Sequence, residues 1–83
     1  MPGDTLRNVA TRRDRLLLAL GRRMHKLREV NGWTQEVLAE RADIDRSYVA
    51  GIEAGLRNPS VKALAKIARG FGLTLSAFLE TVG

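Results

Sequence analysis

The sequence of 83 residues contains no cysteine, one histidine, two prolines and few aromatic side chains. Without cysteine it can form neither a disulfide scaffold nor a thiolate metal site, and this absence fits a reducing cytoplasm. No apolar run approaches the roughly 20 residues that a membrane helix needs, and the first residues lack the apolar stretch of a secretory signal. Hydrophobic residues still make up 45% of the chain, which is enough for the core of one small cytoplasmic domain.

Patterns that indicate catalysis or a bound cofactor are also missing. His25 stands among arginines with no second metal ligand near it in the sequence. The glycines do not follow a strand, so they do not form a phosphate-binding loop. Asp43 and Asp45 are better interpreted as a turn residue and a helix cap than as paired catalytic carboxylates. We therefore expect no enzymatic activity, no metal and no cofactor.

Charge indicates an anionic partner but does not locate its site. The net charge is +5, and a basic small domain suggests an anionic partner, with nucleic acid about as well supported as not by charge alone. Lysine and arginine outnumber aspartate and glutamate by 8 to 3 in residues 1–30 and by 3 to 1 in residues 60–83, whereas residues 31–59 carry 3 basic and 5 acidic side chains. Ordinary solvated helix faces would also explain this distribution.

The first half of the chain predicts one amphipathic helix. Thr11 and Asp14 resemble a capping arrangement, and apolar residues then recur at helical spacing until Asn31-Gly32, which is typical of a helix end. Leu18 falls on the polar side, either as an isolated exposed leucine or as a contact with a second subunit. Residues 1–14 are interpreted as an N-terminal extension that is flexible or begins helix 1, and residues 15–83 as the domain itself.

The middle of the chain predicts two short helices joined by a tight turn. Thr34 can cap helix 2, Asp43-Ile44 forms the turn, and Asp45 can cap helix 3. Gly55 suits the left-handed end of helix 3. This arrangement leaves the N-terminus of helix 3 on the surface, where it could enter the major groove of DNA.

Two more helices are predicted after Asn58-Pro59, which prevents continuation of helix 3. Ser60 can cap helix 4 and Thr74 can cap a short helix 5. The apolar residues expected on one face of helix 4 are Val61, Leu64, Ala65, Ala68 and Phe71, and those expected in helix 5 are Leu75, Phe78, Leu79 and Val82. No alternating run indicates a strand.

Residues from about 17 to about 80 resemble the helix-turn-helix domain of the phage repressor and Cro family, also called the XRE family. The chain length and the segments RSYV and GIEAGLRNPS look especially similar to controller proteins of restriction–modification systems, which are small dimeric regulators. The resemblance implies an all-α, compact five-helix, repressor-like fold. The matching positions are Gln35, Leu38, Ala39, Ala42, Ile44, Val49, Ile52, Glu53 and Gly55, followed by Arg57-Asn58-Pro59-Ser60.

The resemblance also assigns roles to individual residues. Arg28 and Glu53 match a buried structural salt bridge, with two unpaired surface charges as the alternative. The base-reading positions fall on Arg46, Ser47 and Gly51, and the neighbouring Ala50 could touch a thymine methyl group. Arg46 is the strongest of these, because its guanidinium matches guanine O6 and N7. Gly51 offers no side chain, so DNA shape would contribute to recognition.

Phosphate contacts are expected around the helix starts and the loop after helix 3. Simple packing is an equally good interpretation of Tyr48. The basic face with Arg22 and Lys26 either provides a general electrostatic attraction or has no specific role. The expected phosphate-contacting residues are Thr34, Gln35, Tyr48, Arg57, Asn58, Ser60 and Lys62.

We expect a homodimer, because one such domain contacts only a short half-site. The predicted dimer interface is the C-terminal helix with Leu75, Phe78, Leu79 and Val82, although the first and second of these also suit the monomer core. The expected function is a cytoplasmic, nucleoid-associated transcriptional regulator that binds double-stranded DNA at a pseudo-palindromic operator, without a membrane or a small-molecule effector. The alternatives are an antitoxin that binds both its operator and a toxin, and a helix-turn-helix used only for protein contacts.

Overall fold

A computed structural model describes the backbone of residues 2–83 and the side chains of residues 14–83. Its described backbone contains five α-helices and no strand. The helices, in chain order, are α1 (Pro2–Asn31), α2 (Gln35–Ala42), α3 (Arg46–Glu53), α4 (Val61–Gly70) and α5 (Leu75–Phe78). The all-α prediction is therefore confirmed.

Helix α1 continues without a break through residues 14 and 15. It begins at Pro2, ahead of the predicted cap at Thr11, and proline suits the first position of a helix because its fixed φ is already helical. The side chains of residues 1–13 lie outside the described residues. The division of the chain into residues 1–14 and 15–83 therefore stays a prediction.

Side-chain caps start three of the helices where the sequence predicts them. Thr34, Ser60 and Thr74 have extended backbones, and each hydroxyl accepts a hydrogen bond from an amide in the first turn that follows. The donors are the backbone N–H groups of Val37 at 3.2 Å, Ala63 at 3.0 Å and Ala77 at 3.1 Å.

The turn between α2 and α3 depends on one residue in the left-handed region. Asp43 has φ 56° and ψ 51°, and its N–H donates back to the Glu40 carbonyl at 3.2 Å. Aspartate tolerates this conformation better than most residues, so the chain can turn here without glycine. Asp45 occupies the N-cap of α3 but makes no capping hydrogen bond through its side chain.

One core joins all five helices. α1 contributes Leu20 and Met24, and α5 contributes Phe78, which is fully buried. Burial of such apolar side chains supplies most of the driving force for folding. The remaining members of the core are Leu38, Ala39, Ala42, Val49, Ile52, Ile67 and Ala68.

The buried face of α4 differs from the predicted one. Val61 was expected to face the core, but it is 72% exposed. The buried residues are Ala63, Ile67 and Ala68. Val61 is the first residue of its helix, directly after the Ser60 cap, and it projects into solvent before α4 reaches the core.

Helix α5 is shorter than predicted. It consists of one turn that ends at Phe78, so Leu79 is its C-cap and Val82 lies beyond it. Arg23 of α1 holds this end, because its Nε donates to the Phe78 carbonyl at 2.8 Å and its guanidinium also donates to the Ala77 carbonyl at 3.0 Å. The carbonyls at a helix end lack helical partners, and a cation there also interacts favourably with the negative end of the helix dipole.

Two glycines allow helices to approach each other closely. A Cβ atom built on Gly21 of α1 would lie 2.5 Å from the Glu53 carbonyl oxygen and 2.7 Å from that of Ile52, both at the end of α3. A Cβ atom on Gly70 of α4 would lie 3.2 Å from the backbone nitrogen of Ala42 in α2. Gly21 therefore sets the distance between α1 and α3.

No helix among the described residues combines the length and apolar character that would let it cross a membrane. The same part of the chain brings together no group of three or more histidine, cysteine, aspartate or glutamate side chains able to hold a metal ion.

Candidate nucleic-acid interface

Helix α3 has one buried face and one accessible face. Val49 and Ile52 are fully buried beneath it and fix its position against α1 and α2. The opposite face presents Arg46 and Ser47, which are exposed at the start of the helix. Ala50 and Gly51 follow one turn later and are half-buried. The four predicted base-reading residues thus share one face of α3, because positions three and four apart lie together on a helix.

The side chain of Arg46 extends towards the first turn of α2. Its Nε lies 3.6 Å from Oε1 of Glu36, and both side chains are more than half exposed. Such a surface ion pair contributes little to stability, typically about 0–1 kcal/mol. Glu36 therefore orients Arg46 in the free protein without holding it strongly, and the guanidinium stays available to another acceptor.

Arg57 crosses the same face of α3 from the loop that follows it. Its guanidinium carbon lies 5.6 Å from the centre of the Tyr48 ring. Its Cγ occupies the space next to Gly51, where a Cβ atom would lie only 2.5 Å away. Tyr48 is half-buried and packs against the core, so the structure gives it a packing contact and a partly accessible edge.

The remaining predicted phosphate-contacting residues lie around two helix starts. Thr34 and Ser60 are exposed N-caps whose hydroxyls already accept amide hydrogen bonds. Asn58 and Lys62 are exposed on either side of Ser60. Gln35 is different, because its side-chain amide donates to Glu53 at 3.2 Å and so points towards the protein.

A polar network ties α1, the start of α2 and the end of α3 together. Arg28 donates from Nε to Oε2 of Glu53 at 2.8 Å and from a terminal nitrogen to Oε1 at 3.0 Å. Its other terminal nitrogen donates to the Trp33 carbonyl at 2.9 Å. The structure thus pairs the two residues that the sequence matched to a salt bridge, and adds Gln35 as a third member. The network holds the start of α2 in register with α3.

This pair is largely shielded from solvent, and the contacts between its members shift the pKa of each. The side chains of Arg28 and Glu53 are 15% and 7% exposed. Burial alone would raise the pKa of Glu53, but hydrogen bonds from Arg28 and Gln35 and the positive charge of Arg28 outweigh it, so this pKa lies below its ordinary value. The hydrogen bond to Glu53 raises the pKa of Arg28 in return.

His25 borders the network on its exposed side. Arg28 approaches Nδ1 of the ring at 2.9 Å, and Nε2 lies 3.4 Å from a carboxylate oxygen of Glu29. Nδ1 also lies 3.3 Å from Oε1 of Glu53, so the ring contacts both members of the salt bridge. The only histidine of the sequence therefore packs beside the salt bridge of Arg28 and Glu53.

The residues predicted for the dimer interface divide into two groups. Phe78 is fully buried in the monomer, which removes it from any surface that a second subunit can reach. Leu75, Leu79 and Val82 are half-buried and pack against the core. Leu79 and Val82 also line an apolar groove of about 250 Å³, where they face Leu16 of α1, itself 50% exposed.

Residues 24–78 match the helix-turn-helix family, and this segment covers more than half of the chain. The chain belongs to the helix-turn-helix family. The matched segment runs from the second half of α1 to the end of α5, and so contains α2, α3, the loop after α3 and the Arg28–Glu53 pair.

This helix-turn-helix chain is similar to restriction–modification controller proteins and to a phage repressor. It is 39% identical to the control protein C.MunI from Mycoplasma sp over 66 residues, which cover 78% of this chain and 89% of that protein. It is 37% identical to the immunity repressor protein of Bacillus phage phi105 over 62 residues, but spans only 43% of that repressor.

The fold is also similar to that of a controller protein solved on DNA. The structure of the C.Esp1396I tetramer in complex with its natural 35 base-pair operator superimposes with a TM-score of 0.73 at 37% sequence identity. The similarity covers 78% of this chain and 86% of that one. The predicted repressor-like fold and the predicted resemblance to controller proteins are both confirmed.

The sequence analysis missed four residues of this helix-turn-helix domain. Gly21 and Arg23 fix α1 against α3 and α5, while Glu36 orients Arg46 and His25 borders the salt bridge. A glycine inside an otherwise amphipathic helix was the one available signal, because such a residue lowers helix stability and usually has a packing reason.

Proposed function

We propose that the protein is a transcriptional regulator that binds double-stranded DNA sequence-specifically, as a homodimer on a pseudo-palindromic operator. The accessible face of α3 carries this proposal, because it places a guanidinium and a hydroxyl at the exposed start of a helix that is otherwise anchored in the core. A helix presented in this way fits the major groove. The helix-turn-helix family and its controller and repressor relatives support the same function.

In this proposal Arg46 is the main base-reading residue. Its guanidinium can leave the weak contact with Glu36 and donate two hydrogen bonds to guanine, which discriminates against other bases by about 1–3 kcal/mol. Ser47 contributes a weaker polar contact, and Ala50 offers a methyl group to thymine. Gly51 contributes no side chain, and Arg57 covers it.

Phosphate groups would bind around this helix and fix its register on the duplex. We assign these contacts to the backbone amide groups at the starts of α2 and α4 and to the side chains of Arg57 and Lys62. The other proposed phosphate-contacting residues are Thr34, Gln35, Tyr48, Asn58 and Ser60. The side chain of Gln35 is held by its hydrogen bond to Glu53.

Selection of bound sequences from random duplex DNA tests the function directly. We expect the purified protein to enrich a pseudo-palindrome whose half-sites lie about one helical turn apart. Arg46→Ala should weaken binding to the enriched site by about 5- to 150-fold and relax one base position in each half-site. Arg69→Ala is the matched control, since it removes one exposed positive charge from α4. An unchanged base preference in Arg46→Ala would contradict the proposed role.

The dimer would form across the apolar groove between α1 and the C-terminal residues. Leu79 and Val82 line this groove together with the exposed Leu16, and burial of that surface would favour association of two copies. Leu79→Glu should give monomers in sedimentation velocity, with helical content retained by circular dichroism. A folded variant that still sediments as a dimer would move the interface elsewhere.

Within this function, the similarity to C.MunI and C.Esp1396I favours a role as a restriction–modification controller. These relatives are controller proteins and a repressor, so they do not support the alternative function as an antitoxin. We propose that the protein acts by binding alone, without catalysis, and that it acts in the cytoplasm, where bacterial and phage DNA is transcribed. Its own concentration and cooperative binding would then set the regulatory response.

A further inference from the structure

The side chain of Arg57 occupies space on α3 that a side chain at position 51 would fill. A Cβ atom added to Gly51 would lie 2.5 Å from Cγ, 3.5 Å from Nε and 3.6 Å from Cβ of Arg57. The first distance is far shorter than an ordinary contact, so the two side chains cannot both be present without a shift. The glycine and the docked arginine therefore depend on each other.

The end of α3 explains why Arg57 reaches this position. The Leu56 N–H donates to the Gly51 carbonyl at 2.9 Å, and the Gly55 N–H donates to the Ile52 carbonyl at 3.0 Å. With Gly55 in the left-handed region at φ 75°, these two bonds form a Schellman motif that turns the chain back over the last turn of the helix.

The apolar contact that usually accompanies a Schellman motif is replaced here by a different contact. An apolar contact frequently joins the two residues whose backbone groups form its outer hydrogen bond, here Leu56 and Gly51. Gly51 has no side chain to offer, and Leu56 is 81% exposed. The aliphatic part of Arg57 covers Gly51 instead, and its guanidinium continues over the Tyr48 ring.

The charge of the docked Arg57 is available to a ligand. Residues 31–59 contain three basic side chains, of which Arg41 stacks on Trp33 and Arg46 lies near Glu36. Among the described residues, no carboxylate forms a salt bridge with Arg57. Its guanidinium lies over the Tyr48 ring, beside the Gly51 edge of the accessible face, and the side chain is exposed.

We propose that Gly51 is a positioning residue for Arg57, so that α3 and the loop after it form one composite DNA-reading surface. On this surface Arg57 takes the place of the side chain that α3 lacks at position 51. This inference rests on the proposed function. The ligand chemistry is an oxygen or nitrogen acceptor of the duplex, supplied either by a phosphate or by a guanine edge. Because packing against Gly51 and Tyr48 already restricts the side chain, less conformational freedom is lost on contact with DNA.

A double-mutant cycle on the selected operator tests the coupling. Arg57→Ala and Gly51→Ala should each weaken binding, by roughly 3- to 10-fold, and the double variant should bind no more weakly than Arg57→Ala. Multiplied effects in the double variant would overturn the inference, because Gly51 would then act without Arg57. Thermal unfolding of each variant checks the fold. Gly51→Ala should not lower stability, because the flexible Arg57 side chain can move away and alanine favours the helix.

Base-resolved binding separates the two sources of the acceptor. Relaxed preference at one base position in Arg57→Ala identifies a guanine edge, whereas uniform weakening with a shallower salt dependence identifies a phosphate. The same profile in Gly51→Ala supports the inference in either case. A Gly51→Ala profile that differs from that of Arg57→Ala contradicts it.

A measurement without DNA keeps the inference separate from the proposed function. In the free protein, the Tyr48 ring should shift the NMR signals of the Arg57 side chain, and Gly51→Ala should return them towards those of a solvated arginine. Unchanged signals in Gly51→Ala would refute the positioning role. If the wild-type protein enriches no DNA sequence while these shifts behave as expected, the proposed function fails and the docking of Arg57 stands.

Discussion

Replacing Gly21 by alanine should force α1 away from the end of α3 and destabilise the domain. The new Cβ atom would lie 2.5 Å from the Glu53 carbonyl oxygen, 2.7 Å from the Ile52 carbonyl oxygen and 2.9 Å from the Glu53 carbonyl carbon. All three are backbone atoms of a helix that is itself packed in the core. They cannot move aside as a flexible side chain can, so the two helices must separate.

The size of the effect follows from two opposing contributions. Overpacking of a well-packed interior typically costs about 1–3 kcal/mol. Alanine in place of glycine in a helix contributes roughly 0.5–1 kcal/mol in the opposite direction. The difference spans about 0–2.5 kcal/mol, and because three backbone atoms obstruct the new Cβ we expect the upper part, a net loss of about 1–2.5 kcal/mol, which in a domain of this size lowers Tm by roughly 5–20 °C.

Urea and thermal denaturation followed by circular dichroism would measure this loss. All variants should be compared at one protein concentration, because the proposed dimer would make Tm depend on concentration. Gly51→Ala is the matched control, since its Cβ atom meets only the flexible side chain of Arg57 and should leave stability unchanged or slightly higher. A Gly21→Ala protein that melts at or above the wild-type temperature would refute the argument that this glycine sets the helix distance.

Two further perturbations test the contacts that hold the site. Glu53→Gln should destabilise the protein by about 3 kcal/mol at pH 7, because it leaves the Arg28 guanidinium without its anionic partner. Since the pKa of Glu53 is lowered by folding, its contribution is fully present above the unfolded pKa of about 4.3 and is lost as the pH falls through the lower folded value. The difference between wild type and variant should therefore shrink below about pH 4 in urea titrations, and a difference that stays constant down to pH 2 would contradict this assignment. Arg23→Met keeps the aliphatic part of the side chain but removes both hydrogen bonds to the end of α5, so we expect a loss of about 1.5–3 kcal/mol and faster amide hydrogen exchange in residues 75–82. Wild-type exchange rates there would show that α5 does not depend on Arg23.

Local signals correctly predicted where α2, α3, α4 and α5 begin and where the chain turns between α2 and α3, but not where α1 begins. Thr34, Ser60 and Thr74 cap the helices that they were expected to cap, and Asp43 takes the left-handed conformation that the turn needs. Each of these features depends on hydrogen bonds or backbone angles within a few residues of the chain. A sequence read in order contains that information directly.

Contacts between distant residues were less accessible to prediction. Arg23 reaches carbonyls more than 50 positions away in the chain, and nothing in the sequence around it indicates a partner. The same applies to Arg57, which was assigned a phosphate contact without any sign that it docks over Gly51. Helical spacing also placed Val61 in the core, because a periodic pattern does not show where a helix first meets its neighbours.

The sequence by itself determined the helix-turn-helix arrangement, its caps and the residues at the start of α3, because these depend on short-range spacing and on side chains that bond to their own backbone. The tertiary structure decided how closely α1 approaches α3 at Gly21, where α5 ends, and which side chain covers the glycine of α3. Those features arise when helices far apart in the chain are packed at a fixed distance, since only then do a missing Cβ atom, a free carbonyl and a long arginine side chain meet in space.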